Sequence, residues 1–171
     1  LNSWAVSWAS KRSSSVSSSA TSPTARRRDS WKAGMRRLGI GFVPYSPLGR
    51  GLLTGTINKP DELGADDWRK TLPRFQTENM NANAALIATL KGLAADKGVT
   101  AAQLALAWVL HQGDFIVPIP GPRKIKHLEE NTAAADIKLT EAELIRIGGA
   151  LTPDQVAGSR YTEAALALVN G

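Results

Sequence analysis

The residues best suited to chemistry lie in the stretch Ile116-Val-Pro-Ile-Pro-Gly-Pro-Arg-Lys-Ile-Lys-His-Leu-Glu-Glu-Asn131. Its opening apolar run, Phe115 to Ile119, is too short for a helix and is bounded by turn residues, the pattern of a strand buried on both faces. Pro120-Gly121-Pro122 ends that strand, and a helix is expected to begin near Arg123-Lys124. A strand, a glycine turn and a helix N-terminus together form an anion site. Unpaired backbone N–H groups and the positive dipole end converge there, and glycine lets a phosphate approach the main chain. Arg123 and Lys124 add full positive charge at the same spot. Glu130 and Asn131 follow about two turns later, at a distance suited to a second polar moiety. The layout fits an extended ligand with a phosphate at one end and a base or sugar beyond it. A glycine present for backbone reasons alone is the competing reading.

A second stretch, Leu38-Gly-Ile-Gly-Phe-Val-Pro-Tyr-Ser-Pro-Leu-Gly-Arg-Gly51, repeats the design, with a short apolar strand (Ile40 to Val43) running into a loop of Tyr, Ser, Pro and Gly. The elements that must position the two loops are legible between and after them. Residues 58–78 read as a long surface loop with a short helix near Asp66–Lys70, and Arg69 and Arg74 are its cations. Asn83 to Lys97 reads as an amphipathic helix with Leu86, Leu90 and Leu93 on one face and Gly98 past its end. Thr100-Ala-Ala-Gln103 is a capping box opening a helix to about Gln112 that is apolar nearly all round and must pack deeply. The helix after the turn is expected to end near Ala135. Thr140 and Glu143 form a second capping box, with Leu139 and Leu144 as its staple. A short helical segment closes the chain. Short strands alternating with helices imply a parallel α/β arrangement.

Composition narrows the function classes. The chain of 171 residues has no cysteine and two histidines, His111 and His127, so thiol chemistry and a His/Cys metal cluster are excluded. No apolar run reaches the length of a membrane span, and no leader pattern is visible. The net charge of +6 is concentrated in residues 1–36, which hold seven of the 21 Lys/Arg and one of the 15 acids. That segment also has eleven serines and the tryptophans Trp4, Trp8 and Trp31, with no sustained period. Disorder is the default for such text, a basic tail for RNA is another reading, and a frameshifted or mis-assigned start is the one that fits best. Two segments are therefore expected, 1–36 and a folded domain over 37–171.

The pair GIGFVPYSPLGRGLLTG and IVPIPGPRKIKHLEEN, with TAAQLALAWVLHQG between them, resembles the last two strand–loop units of an aldo-keto reductase, over roughly residues 37–171. The resemblance implies an α/β fold, here the C-terminal part of a (β/α)8 TIM barrel: the last two strand–helix units plus the C-terminal helices. A complete barrel needs about 250 residues. It further implies NADP(H) as cofactor. Tyr45 would stack on the nicotinamide ring; Ser46, Pro47, Leu48, Gly49 and Arg50 match the loop that wraps the pyrophosphate. Gly121 and Arg123 match the turn that holds the adenosine phosphate, His127 sits one helical turn along, and Glu130 and Asn131 match the pair that hydrogen-bonds adenine. Each role suits its chemistry: a flat ring for a heterocycle, and arginine at a helix N-terminus for a phosphomonoester. Phosphates in such barrels bind after strands seven and eight.

Two positions depart from the pattern. Pro122 stands where the family commonly has Thr, Ser or Ala, and Thr56 where many relatives have Lys; both imply weaker cofactor binding. The family's proton donor is a tyrosine, tuned by lysine and aspartate, with a histidine orienting the carbonyl, all on strands before the position of Leu38. No catalytic residue is expected here. The expectation is a cytoplasmic fragment of an NADPH-dependent reductase, inactive by itself, whose full-length parent takes a small-molecule carbonyl substrate, with no metal, membrane or nucleic-acid partner. A non-catalytic dinucleotide-binding or partner-docking module is the alternative, and a basic-tailed nucleic-acid binder a weaker one.

Overall fold

A computed structural model describes residues 33–169. The expectations for the Ser/Arg-rich stretch 1–32 lie outside the described residues. The described chain opens with helical residues 33–38 and reaches a loop of 3-10 turns between residues 49 and 75. Five α-helices follow: α1 (Thr77–Lys97), α2 (Ala101–Leu110), α3 (Ile125–Ala133), α4 (Glu141–Ala150) and α5 (Glu163–Val169).

The two expected strands meet, in parallel, but only as single bridges, Phe42 with Ile116 and Tyr45 with Ile119. Their bonds are Phe42 N–H to Phe115 O (2.7 Å), Val117 N–H to Phe42 O (2.8 Å) and Ile119 N–H to Pro44 O (3.2 Å). Proline explains why no longer ladder forms. Pro44 falls between the two bridges, where a residue with an N–H would donate to Val117 O, and it has none to donate. Burial on both faces is also corrected. Ile116 is buried, whereas Val117 is 59% and Ile119 52% exposed. One face of this pair packs on the helices; the other, with Val43, is uncovered by described residues.

The core is built around α2. Its residues from Ala101 to Val109 are buried except Gln103, as its all-round apolar pattern requires. Both halves of the Thr100–Gln103 capping box form, and Trp108, 1% exposed, donates from its indole to Leu144 O at 3.2 Å. Around α2 pack Leu90 and Leu93 of α1, Ile147 of α4, Leu53, Phe75 and Ile116. His111 links α2 to the next element: its Nδ1 lies 2.8 Å from Ala107 O and its Nε2 accepts from Leu139 N–H at 3.2 Å. The second capping box forms as well, and Lys97 reaches its Glu143 at 2.8 Å.

Helix α1 begins six residues before the expected Asn83. The cause is tertiary. Gln76 donates to Lys70 O and Leu72 O, Asn79 donates to Pro73 O, and Met80 is buried, so the polar text before Asn83 is wound into the helix by its neighbours. Gly98, in the left-handed region at φ 71°, closes α1 as expected. Asn83 itself is 1% exposed and holds the C-terminal stretch through two bonds, donating to Ala157 O (3.0 Å) and accepting from Ala157 N–H (2.8 Å).

Candidate functional site

The bridge between Tyr45 and Ile119 places the ends of the two parallel segments side by side. The loop beginning at Ser46 and the turn at Gly121 therefore leave from adjoining positions on one edge. This is the geometry in which two loops can share one extended ligand.

The first loop is wound tightly. Ser46 (φ 50°) and Arg50 (φ 58°) are non-glycine residues in the left-handed region, and Arg50 stands between Gly49 (φ 60°) and Gly51 (φ 100°). Such conformations cost about 1–2 kcal/mol for a side-chain-bearing residue and persist only where the surroundings impose them. Here Gly49 N–H bonds Ser46 O (3.0 Å), and Gly51 and Leu53 N–H both bond Leu48 O (3.1 and 3.2 Å). Pro47 and Leu53 are buried beneath, anchoring the loop on the core. Arg69 clamps it from outside, donating to Arg50 O at 2.9 Å. Asp67 in turn grips Arg69 through a two-pronged pairing, Nε to Oδ1 at 2.9 Å and Nη2 to Oδ2 at 2.6 Å. The hydrogen bonds from Arg69 bring the Asp67 carboxyl down to about 2, with a smaller contribution from the charge of Arg123. That contribution ties the clamp to the second loop electrostatically. Arg69 thus has a structural task here. The short helix expected near Asp66–Lys70 is the 3-10 turn Trp68–Thr71, capped by Asp67.

The second loop turns at Gly121, φ 64°, where a Cβ would meet no heavy atom within 4 Å. The main chain is therefore open to a ligand at this glycine. Arg123, Lys124 and His127 are exposed at and just inside the N-terminus of α3, which begins at Ile125 rather than Arg123 and has no side-chain cap. Its orphan N–H groups and dipole are the physical basis for holding an anion. Glu130 and Asn131 are half-buried further along α3. Glu130 has another partner: its Oε1 accepts from the Thr100 hydroxyl at 2.6 Å, joining α3 to the cap of α2. Thr56 bonds Thr54 through their hydroxyls at 2.7 Å.

Tyr45 has neighbours that no local pattern announces. Its hydroxyl lies 2.6 Å from that of Tyr161, and the guanidinium of Arg160 stands 4.4 Å over its ring. Arg50 lies 4.8 Å and Arg160 5.2 Å from the Tyr161 ring centre, and Arg50 also donates to Arg160 O at 3.5 Å. Burial pushes the Tyr161 hydroxyl up, but the Tyr45 hydrogen bond and the charges of Arg160 and Arg50 outweigh it and leave it below its ordinary value. Arg74, which donates to Gly158 O at 3.1 Å, is brought down to about 10 by burial and then by Arg160 and Arg50. Sequence reasoning missed Arg160 and Tyr161. A basic–aromatic pair behind a glycine was their only signal.

A stacked heterocycle must meet the face of Tyr45 opposite Arg160, or displace that side chain. The anion-binding features at Gly121 and Arg123 fit a phosphate without such rearrangement. Among the described residues, no group of three or more His, Cys, Asp or Glu could hold a metal, and no helix is long and apolar enough to cross a membrane.

The family model described as Aldo/keto reductase family matches residues 4–151. Aldo-keto reductase str7 of Strobilurus tenacellus is 41% identical over 135 residues, covering 79% of this chain and 40% of that protein. Aldo-keto reductase yakc [NADP(+)] of Schizosaccharomyces pombe is 43% identical over 126 residues, covering 74% of this chain and 37% of that protein. The chain thus spans well under half the length of these curated relatives. A crystal structure of a thermostable aldo-keto reductase, Tm1743, with the inhibitor epalrestat is 26% identical, with a TM-score of 0.48 over 74% of this chain and 35% of that one. With more than half of its residues matched by the family model, the chain belongs to the aldo/keto reductase family.

Proposed function

We propose that residues 37–171 are the NADPH-binding portion of a reductase that transfers hydride to a small aldehyde or ketone. The observation that carries this reading is the side-by-side exit of the two loops at the Tyr45–Ile119 bridge, with open backbone at Gly121. Arg123, exposed at the start of α3, is suited to the 2′-phosphate that separates NADPH from NADH. One of the relatives carries NADP(+) in its name, which supports the same cofactor. Tyr45 and the Ser46–Arg50 loop would hold the nicotinamide and pyrophosphate, and His127 and Asn131 would border the adenosine. Glu130 would have to exchange its bond to Thr100 for one to adenine.

Bound NADPH would supply a hydride. The residues in hand bind and orient it, but a carbonyl accepting hydride also needs a proton. The chain has two tyrosines, Tyr45 and Tyr161, and the resemblance assigns the family's proton-donor tyrosine, with its lysine, aspartate and histidine, to strands before the position of Leu38. General-acid help is typically worth 10²–10⁴-fold in rate, so these 171 residues alone would bind cofactor without efficient turnover. Competition tests the binding claim. Adenosine 2′,5′-bisphosphate should displace NADPH followed by its fluorescence, and AMP should do so far more weakly. Equal displacement by the two would remove the case for the 2′-phosphate.

The exposed Val43, Val117 and Ile119 favour a second reading, a partner-docking module. It predicts self-association that a Val117→Lys substitution abolishes, checked by sedimentation.

A further inference from the structure

Tyr45 has a cation against one of its faces. The Arg160 guanidinium carbon stands 4.4 Å over the Tyr45 ring and 5.2 Å from the centre of the Tyr161 ring. Both tyrosines and Arg160 are half-buried. Among the described residues no carboxylate lies in salt-bridge range of Arg160; the four ion pairs there involve Arg36, Arg69, Lys97 and Arg146. Burial brings Arg160 below its ordinary value, Tyr45 and Tyr161 act against that, and the charge of Arg50 adds to it. Arg50 belongs to the loop that would wrap the pyrophosphate, so phosphate would answer its charge. Arg160 lies outside that loop, and its positive charge stays behind Tyr45.

That charge is held in place. Asn83 bonds both backbone groups of Ala157, Arg74 holds Gly158 O, and Arg50 reaches Arg160 O. Gly158, at φ 82°, lies so close to Asn79 and the Arg74 backbone that a Cβ would stand 2.9 Å and 3.2 Å from them. The stretch carrying Arg160 is therefore packed against the body of the protein. The Tyr45 ring is tethered as well, its hydroxyl 2.6 Å from that of Tyr161.

An aromatic ring attracts a cation at either face. With Arg160 on one side, a neutral ring can still stack on the other by dispersion, whereas a cationic ring there meets repulsion. The two redox states of a nicotinamide differ in this property: the oxidised ring is a pyridinium cation and the reduced ring is neutral. A ring stacked on Tyr45 at van der Waals distance would stand about 8 Å from the Arg160 charge. At an effective dielectric of about 20 to 40, that repulsion corresponds to roughly fivefold to thirtyfold in affinity.

We infer that Arg160, acting through Tyr45, makes the site discriminate between the redox states of its cofactor, holding NADPH in preference to NADP+. The inference rests on the reading that a nicotinamide meets Tyr45. Arg160 touches no reacting atom; it is a positioning residue that also sets this preference. Loss of a hydride to a carbonyl carbon leaves the ring positive, so the repulsion arises only after transfer and favours release of the spent cofactor. Selective binding of the reduced form also raises the reduction potential of the bound cofactor, by about 30 mV for each factor of ten.

The test measures NADPH affinity by fluorescence and NADP+ affinity by displacement, on the whole 171-residue chain and on Arg160→Gln and Arg160→Lys. The wild type should hold NADPH the more tightly. Arg160→Gln should tighten NADP+ about fivefold to thirtyfold and leave NADPH within about twofold. Adenosine 2′,5′-bisphosphate, which has no nicotinamide, should bind the variant and the wild type alike. Arg160→Lys, which keeps the charge, should keep most of the preference. Retained protection of the Ala157 amide certifies that each variant is folded. A purely structural role would move both redox forms together, so the ratio of the two affinities is the deciding readout. A ratio unchanged in Arg160→Gln overturns the inference. Equal tightening of both forms also overturns it, by placing Arg160 on the face that the nicotinamide needs. Tyr45→Leu tests the underlying reading separately and should weaken NADPH. NADPH bound by that variant as tightly as by wild type would remove the nicotinamide from Tyr45, and the inference with it. A wild-type chain that binds neither dinucleotide would remove both.

Discussion

Replacing Asn83 by alanine isolates the contact that holds the Arg160–Tyr161 stretch in place. The side chain is 1% exposed and makes two bonds to one residue, to Ala157 O at 3.0 Å and from Ala157 N–H at 2.8 Å. A net value of about 1–1.5 kcal/mol for each gives roughly 2–3 kcal/mol. Ala157 is half-buried, so water can partly replace the lost partner, which keeps the total from rising further. At about 1.4 kcal/mol per factor of ten, the Ala157 amide should exchange roughly 30- to 150-fold faster in Asn83→Ala. The amide of Leu104, deep in α2, serves as the internal control and should be slowed or quickened far less. Asn83→Asp should behave like alanine or worse, because a carboxylate can accept from Ala157 N–H but has nothing to donate to Ala157 O. Asn83→Ala should also loosen the Tyr45–Tyr161 hydroxyl contact, read as a change in tyrosine absorbance. Ala157 exchange within twofold of wild type in Asn83→Ala would refute the claim that this side chain fixes the stretch.

Other perturbations separate packing from binding. Trp108→Ala should cost about 3–5 kcal/mol by urea unfolding, from the cavity and the abandoned Leu144 carbonyl, and Trp108→Phe distinctly less. Glu143 is held at about 2, first by its hydrogen bond with Lys97 and then by those with Thr140, against an ordinary value of 4.5. Because the folded value is the lower one, its stabilisation is present above pH 4.5 and fades as the pH falls toward 2. Glu143→Gln should therefore flatten the stability–pH profile over that window, followed by circular dichroism. Gly121→Ala should cost about 1–2 kcal/mol in stability, since its Cβ meets nothing and only the φ of 64° is strained. NADPH affinity, measured by fluorescence, should drop further than that, because the methyl occupies the approach to the main chain.

What was legible in the sequence was mostly local. The capping boxes at Thr100 and Thr140 declare themselves within four residues, and both form with the expected partners. Gly98 marks a helix end for a reason contained in one residue. The deep packing of α2 follows from its composition alone. The early start of α1 was hidden because Asn79 and Gln76 bond to loop carbonyls that their own sequence does not identify. Burial of the strand pair misled for a related reason. Val117 and Ile119 are apolar whether or not anything covers them, so a short apolar run cannot report its second face. The ladder's interruption was in principle readable, since Pro44 lacks the donor it needs. The pairing of Tyr45 with Tyr161 crosses 116 positions, and no spacing rule connects them. Glu130 illustrates the converse: its place in the motif was plain, while its bond to Thr100 depends on how α3 lies against α2.

The central claim, that this chain carries an NADPH site built on Gly121 and Arg123, is met most directly by one comparison. Dissociation constants for NADPH and NADH would be measured by fluorescence titration on the wild-type chain and on Arg123→Gln. The account predicts tighter binding of NADPH than of NADH by the wild type, and loss of that preference in the variant while NADH binding is little changed. Equal affinity of the wild type for the two dinucleotides, or a preference for NADPH that survives Arg123→Gln, would contradict it.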